Sequence, residues 1–341
     1  MVLGFTTGRW FLEWLDTPQD IIDLASAYFN IYMCGIPAVT LYSFSAAVFR
    51  AQGNTKSPLI YLIFAGLMNV VLNLIFVIGF HWSVEGIAWA TVISQYFSAF
   101  LALRHLKIMD EVYALKFKLI NLNKKILKDI FYIGVPASVN SLVFSFSNMQ
   151  IQSAINFFGS SAVAGCAVAG NLEGFVYISM NSMYSAALSF TGQNMGAGRF
   201  DRIPRILKIN TLYVVILGLA TGVPLTLFGE SLIGLYTNDP EAIAVGMVRT
   251  KWIMLPYFLC GIMEVCTGVI RGLGYSITPT LITLAFACGL RVLWVTTIFR
   301  ICPNLPLLFS IYTISWSLTT IGLLITYRYA MKHKTFLPAT V

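Results

Sequence analysis

The chain has 341 residues, of which 57% are hydrophobic, 14% aromatic and only 11% charged, with a mean hydropathy of +0.77. A soluble domain carries roughly 25% charged residues, and this chain has too few to cover so much apolar surface with a hydrated skin. The composition excludes a soluble enzyme, a disordered protein, a coiled coil and a nucleic-acid-binding module, and it predicts an all-α polytopic membrane protein in contact with the lipid bilayer. The length suits about nine helices of roughly 20 or more residues. The formal net charge of +8 sits on Lys and Arg between apolar spans, so it reads as orientation in the bilayer and not as a nucleic-acid footprint.

The first apolar stretch, Met1 to Thr7, meets Arg9, Glu13 and Asp16 too early for a signal peptide, and no small-residue cleavage site follows. It reads as the tail of an interrupted helix. Beyond Pro18, apolar spans are predicted near 20–51, 58–80, 84–106, 127–158, 161–191, 203–229, 241–271, 277–300 and 306–330. Several exceed the ~20 residues needed to cross, which predicts tilt or extension beyond the lipid. Cys34, Cys166, Cys260, Cys266, Cys288 and Cys302 form no CxxC pair, and most lie in apolar runs, as buried structural thiols do. His81, His105 and His333 are isolated at span ends, so no metal cluster is predicted.

The cations test this map. One set of alternate loops carries Arg50 and Lys56, the run from Arg104 to Lys128, the run from Arg199 to Lys208, Arg271, and the run from Arg328 to Lys334. The other set carries only Arg9 and Arg300, while Arg249, Lys251 and Arg291 fall inside spans. Such asymmetry predicts nine crossings with the C-terminus in the cytoplasm.

The sequence also repeats. Arg50 to Pro58 and Arg271 to Pro279 both read R-x-x-G-x-[ST]-x-x-P, 221 residues apart. The physical content is a helix end: a cation in the last turn, Gly to stop it, and Ser/Thr with Pro to start the next. Upstream, Trp14-Leu15-Asp16-Thr17-Pro18 matches Tyr236-Thr237-Asn238-Asp239-Pro240, and the register holds across the intervening helix. Both copies enter from the same side, as in a parallel repeat about an axis along the membrane normal. In the second copy three spans precede Pro240, while in the first only a stub precedes Pro18, so roughly 100 N-terminal residues are expected to be missing relative to a complete pair.

These residues carry a family resemblance. Gly192-Gln193-Asn194-Met195-Gly196-Ala197-Gly198-Arg199, the two repeat motifs and Tyr236 to Pro240 are similar to the multidrug and toxic compound extrusion (MATE) family of cation-coupled antiporters. The resemblance implies two six-helix bundles around a central cavity, with about nine of twelve transmembrane helices present here. Residues 1–120 would form a partial N-terminal bundle (the end of the third helix and helices four to six), and 121–341 the complete C-terminal bundle. It implies efflux of small amphiphilic substrates, typically organic cations, in exchange for H⁺ or Na⁺, with no other cofactor, by a monomer in the plasma membrane (the inner membrane of a bacterium). The first two helices of the family and most of its third have no counterpart, so the first-helix Asp that some members use for the coupling ion has none either. The glycine-rich octapeptide is no phosphate loop, since no strand precedes it and no Lys-Ser/Thr closes it. It reads as a tight turn between spans.

An acid inside a span is a functional candidate by default. Glu173, Tyr177, Met180 and Tyr184 fall within about 60° on a helical projection, a carboxylate with aromatic and thioether neighbours that suits an organic cation. The alternative is a structural ion pair, with Arg291 as the expected partner. On the preceding span, Ser141, Ser145, Asn148, Gln152 and Asn156 fall within about 80°, which predicts a cavity lining or interhelical hydrogen bonds. Glu264 shares a face with Tyr257, Cys260, Thr267 and Arg271. By the resemblance, the cation-coordinating acids of the family's tenth and seventh helices fall at Cys260 and Phe144, so that sodium arrangement is not reproduced. Burial disfavours the charged form of a carboxylate, which makes Glu173 and Glu264 candidates for proton coupling. Asn69, Asn73 and Gln95 read as packing residues of the first bundle, with lining of its side of the cavity as the alternative. Arg50, Arg271 and Arg291, with the glycine-rich turn, are expected to be structural or gating elements.

Three rival readings stand beside this one. A lipid-linked oligosaccharide flippase would want a strongly cationic cavity, and only Arg291 reads as deep. A membrane-embedded transferase or hydrolase would want an acid–base or His/Cys constellation near a span end, and none is visible. A nonfunctional truncated transporter is the third.

Overall fold

The computed structural model describes residues 2–14, 21–109, 114–116 and 121–333. Every regular element among them is helical. The chain divides into two compact units, Met1–Asn121 and Leu122–Val341. Leu15 to Pro18 of the upstream repeat motif, Lys118 and Lys334 lie outside the described residues.

In the first unit α1 (Val2–Trp14) packs on α2 (Ile22–Ala51), with Gly4 against Met33 and Gly8 against Phe29. Then come α3 (Lys56–Asn73), which continues as a π-helical stretch (Leu74–Gly79), and α4 (Val84–Ile108). Both α2 and α3 pack on α4. Asn69 donates to Thr91 Oγ1 at 3.4 Å and to Ser94 Oγ at 3.5 Å, and Asn73 donates to Asn69 Oδ1 at 3.1 Å. These are hydrogen bonds between and along helices. Gln95 Oε1 sits beside Gly35, at the α2–α4 crossing. Elsewhere α3 shows Leu59, Leu62, Ile63, Phe64, Leu67 and Val70 to the outside, each more than half exposed. An outward apolar face of that extent suits lipid as solvent.

The second unit contains α5 (Lys124–Asn156), α6 (Ser160–Gly196), a 3₁₀ turn (Phe200–Arg202), α7 (Ile203–Leu227), α8 (Gly229–Gly234), α9 (Pro240–Met254) and α10 (Tyr257–Gly272). After these come α11 (Ile277–Ile282), a second π-helical stretch (Thr283–Gly289), α12 (Leu290–Thr296), α13 (Ile298–Ile301) and α14 (Leu305–His333). Among the described residues eight helices are long and apolar enough to cross a membrane, or nine when the bent pair α9–α10 counts as one. The predicted span 241–271 is therefore not one rod. It bends by 44° between Met254 and Tyr257, where Pro256 lacks an N–H and crowds the preceding turn.

Glycines set how closely the helices of this unit approach. Gly165 of α6 faces Ala242 and Gly246 of α9. On α10, Gly261 lies against Met180, Gly268 against the Tyr184 carbonyl, and Gly272 against Thr191, so one α10 seam follows α6 for several turns. Small residues at a crossing let backbones meet, which is how helices associate in lipid without a hydrophobic drive between them.

The repeat motif has its expected local structure. Gly53 (φ +83°) and Gly274 (φ +96°) both sit in the left-handed region just past a helix end. Asn54 N donates to the Phe49 carbonyl at 2.9 Å and Tyr275 N to the Ile270 carbonyl at 3.2 Å, closing the same six-residue cap in both copies. Arg50 and Arg271 stand one turn back, in the final turns of α2 and α10. The glycine-rich octapeptide ends α6 in the same way: Arg199 N donates to the Asn194 carbonyl at 2.8 Å around Gly198 (φ +69°). Within it Gly192, Gln193, Asn194 and Gly196 are still helical. A Cβ at Gly53 would meet nothing within 4 Å, so Gly53→Ala tests backbone conformation alone. It is expected to destabilise by about 1 kcal/mol. The helical control Gly66→Ala, also in open space, is expected to stabilise slightly. Thermal unfolding in detergent reads both, and equal melting temperatures would contradict the cap.

Candidate functional site

A cavity of about 540 Å³ lies within the second unit. Its walls come from α5, α6, α9, α10, the second π-helical stretch, α12 and α14. Ser141, Ser145, Asn148 and Gln152 of the α5 polar stripe line it, while Asn156 does not and instead accepts a hydrogen bond from Gln152 at 3.2 Å. An aromatic corner forms where Tyr257 and Tyr312 meet Trp316 edge-to-face, at 5.4 and 5.5 Å between ring centroids. All three rings line the cavity.

Glu173 and Tyr177 line the cavity, but Met180 and Tyr184 are not part of its wall. Although the four share a helix face, Gly261 lets α10 come down onto α6 at Met180, whose side chain is fully buried there. One turn on, the Tyr184 hydroxyl accepts from Arg271 Nη1 at 2.9 Å, with the guanidinium 5.9 Å from its ring. Met180 is thus a packing residue, and Tyr184 holds Arg271 in place.

The expected partner of Glu173 is also corrected. Its carboxylate is bound by Arg249 of α9, with Nε donating to Oε1 at 2.7 Å and Nη2 to Oε2 at 3.0 Å. The pair is nearly enclosed, with side chains 13% and 15% exposed. It forms because α6 and α9 touch directly at Gly165 and Gly246, and because Gly170 leaves room for the guanidinium. Arg291 is held elsewhere, by α5 and α14. Its Nε donates to Ser315 Oγ at 3.3 Å and its Nη1 to Asn148 Oδ1 at 3.4 Å. Its guanidinium lies 4.3 Å from the Tyr312 ring and 5.3 Å from that of Phe144.

Glu264 lines the cavity from α10, as do Tyr257, Cys260, Thr267 and Arg271. Among the described residues no cation lies within ion-pair distance of its carboxylate. The expectation that Arg291 alone is deep does not hold, since Arg249 and Arg271 reach the same wall. With two carboxylates and three guanidinium groups, the lining carries a formal surplus of one positive charge. Arg249, Tyr312 and Trp316 were among the lining residues not singled out in the sequence, as were Asn140 and Thr283. The signals available for the first three were a cation in mid-span and a Tyr/Trp pair four residues apart on the last span.

The profile of the MatE family matches residues 1–75 and 136–295. The chain is 29% identical over 287 residues to the probable multidrug resistance protein YpnP of Bacillus subtilis (strain 168), covering 82% of this chain and 63% of that protein. It is 23% identical over 265 residues to the multidrug export protein MepA of Staphylococcus aureus (strain MSSA476), covering 78% and 58%. The chain therefore spans less than two thirds of the length of these relatives. Its fold is similar to that of the Vibrio cholerae MATE transporter VcmN in the bent form, with a TM-score of 0.85 at 20% sequence identity, over 98% of this chain and 75% of the other.

Proposed function

The chain belongs to the MatE family of multi-pass membrane transporters, and from that premise we propose that it exports amphiphilic small molecules in exchange for H⁺ or Na⁺. The observation that carries this reading is the cavity of the second unit, with its aromatic corner and with Glu264 as a carboxylate free of any ion-pair partner among the described residues. Aromatic faces and a carboxylate suit an organic cation. A carboxylate that a drug cation and a proton or sodium ion both want supplies a simple basis for exchange: each ligand displaces the other. Glu173 is committed to Arg249 and is the weaker candidate for that role.

Coupling also requires that the two ligands bind differently to two states of the transporter. The cation-rich loops support an orientation with the C-terminus in the cytoplasm, and a bacterial inner membrane is the proposed location.

Dye efflux from cells expressing the full 341-residue chain tests the reading. Unsubstituted chain is expected to lower dye retention relative to empty vector. Glu264→Gln is expected to cut the initial efflux rate at least about tenfold, a floor below the roughly 10²–10⁴-fold that a positioned proton-transfer group contributes in catalysis. Equal retention with chain and vector would reject export, and full activity in E264Q would reject Glu264 as the coupling group.

A further inference from the structure

Away from the cavity, the start of α7 gathers Arg199, Arg202, Arg205 and Lys208 within ten residues. Arg199 is held by Asp201, its Nε and Nη2 donating to the carboxylate at 3.2 and 3.3 Å. That contact neutralises the one acid of the segment. Arg202, Arg205 and Lys208 are exposed, and none has an ion-pair partner among the described residues. Next along the helix, Ile209, Leu212, Ile216 and Leu219 are 40%, 59%, 52% and 42% exposed. At 100° per residue these four, Arg205 and Lys208 fall within about 100° of arc, with Arg202 at its margin. The opposite face carries Ile203, Asn210, Val214, Gly218 and Gly222, all buried.

The bias of cations toward the cytoplasmic side accounts for the end of α7 that they occupy, and it would be met whichever way they pointed. It does not account for three unpaired cations on the same exposed face as the apolar stripe. The stripe also has a telling length. From Ile209 to Leu219 the helix rises about 15 Å, half of the ~30 Å hydrocarbon core and so the depth of one leaflet. Positive charge at headgroup level, continuous with one leaflet of apolar surface, is the complement of an anionic lipid. An acidic protein would match the cations and leave the stripe unused. We propose that the outer face of α7 is a binding site for an anionic phospholipid, with its phosphate among Arg202, Arg205 and Lys208 and its acyl chains along Leu212, Ile216 and Leu219.

The test reads the lipid beside α7 and is independent of transport. Leu212→Cys is labelled with bimane in a Cys34→Ser/Cys302→Ser background, because the other native thiols are buried. The full chain is reconstituted in phosphatidylcholine vesicles. Quenching is then compared between shallow doxyl-labelled phosphatidylglycerol and the same label on phosphatidylcholine, two probes that differ only in headgroup. A cation near an anionic surface contributes about fivefold in affinity. With the three cations present, phosphatidylglycerol is expected to associate at least about tenfold more strongly than phosphatidylcholine at this position. Arg202→Gln/Arg205→Gln/Lys208→Gln, at exposed positions that leave the packed face untouched, is expected to bring the two lipids within about twofold. The same label at Leu227, 72% exposed at the far end of α7, is expected to show no preference.

Equal quenching by the two lipids at position 212, a preference that survives in the triple variant, or an equal preference at position 227 would overturn the proposal. So would a preference abolished by polyglutamate or by inorganic phosphate at constant ionic strength, which would assign the three cations to an acidic protein or to a free anion.

Discussion

Arg249→Met, with Glu173 left in place, is expected to lower the unfolding free energy by about 3–5 kcal/mol, among the largest effects of any single substitution in this chain. The two groups meet through two hydrogen bonds, at 2.7 and 3.0 Å, inside a wall that leaves each side chain less than one-sixth exposed. Removing the guanidinium strands a carboxylate among α6, α9 and α10 with nothing to replace its lost hydration. The energy follows from that stranding and not from the attraction alone. Removing both charges, as in E173Q/R249M, is therefore expected to recover most of the loss. Thermal unfolding of the detergent-solubilised chain reads the cycle. An R249M protein that melts with the unsubstituted chain would show that the pair contributes nothing.

The same cycle separates two meanings of a carboxylate in the cavity. Glu173→Gln strands the Arg249 cation, so its effect on efflux is expected to follow the amount of folded protein. Glu264→Gln breaks no ion pair among the described residues, so its effect is expected on the rate per folded molecule. Efflux normalised to protein level in the membrane distinguishes the two. If E173Q lowers the normalised rate as much as E264Q does, Glu173 acts in exchange and not only in packing.

The difference in roles between these two acids was not legible in the sequence, and the reason is physical. Span positions follow from the length of apolar runs, and the caps at Gly53 and Gly274 follow from local backbone chemistry, so both could be read from residue order. Which arginine reaches Glu173 depends instead on which helices touch. That is set by Gly165 and Gly246, whose spacing is ordinary in either span taken alone. Met180 makes the same point. Its projection angle placed it with Glu173 correctly, but an angle carries no information on how near α10 lies, and Gly261 brings α10 close enough to cover it. The bend at Pro256 was half legible: the proline is plain in the sequence, while the 44° turn that results is a matter of packing.

Gly165→Ala is expected to be the most damaging single-methyl addition in the second unit. A Cβ there would lie 2.0 Å from the Ala242 carbonyl oxygen and 3.0 Å from the Gly246 nitrogen. Both obstacles are backbone atoms of α9, so no side-chain rotation relieves the overlap, and α6 and α9 must separate. Overpacking of this kind costs about 1–3 kcal/mol where side chains can yield, and the upper end or beyond is expected where they cannot. Separation at Gly165 also stretches the Glu173–Arg249 contact two turns along α6, since that pair exists only because the helices meet. The loss in G165A is therefore expected to be smaller when measured in the E173Q/R249M background, where no ion pair remains to be stretched. Gly192→Ala, on the same helix with nothing within 4 Å of its Cβ position, is the control and is expected to stabilise by about 0.5–1 kcal/mol through helix propensity. Should G165A and G192A melt alike, the crossing of α6 and α9 is looser than described, and the ion pair it supports loses its structural cause.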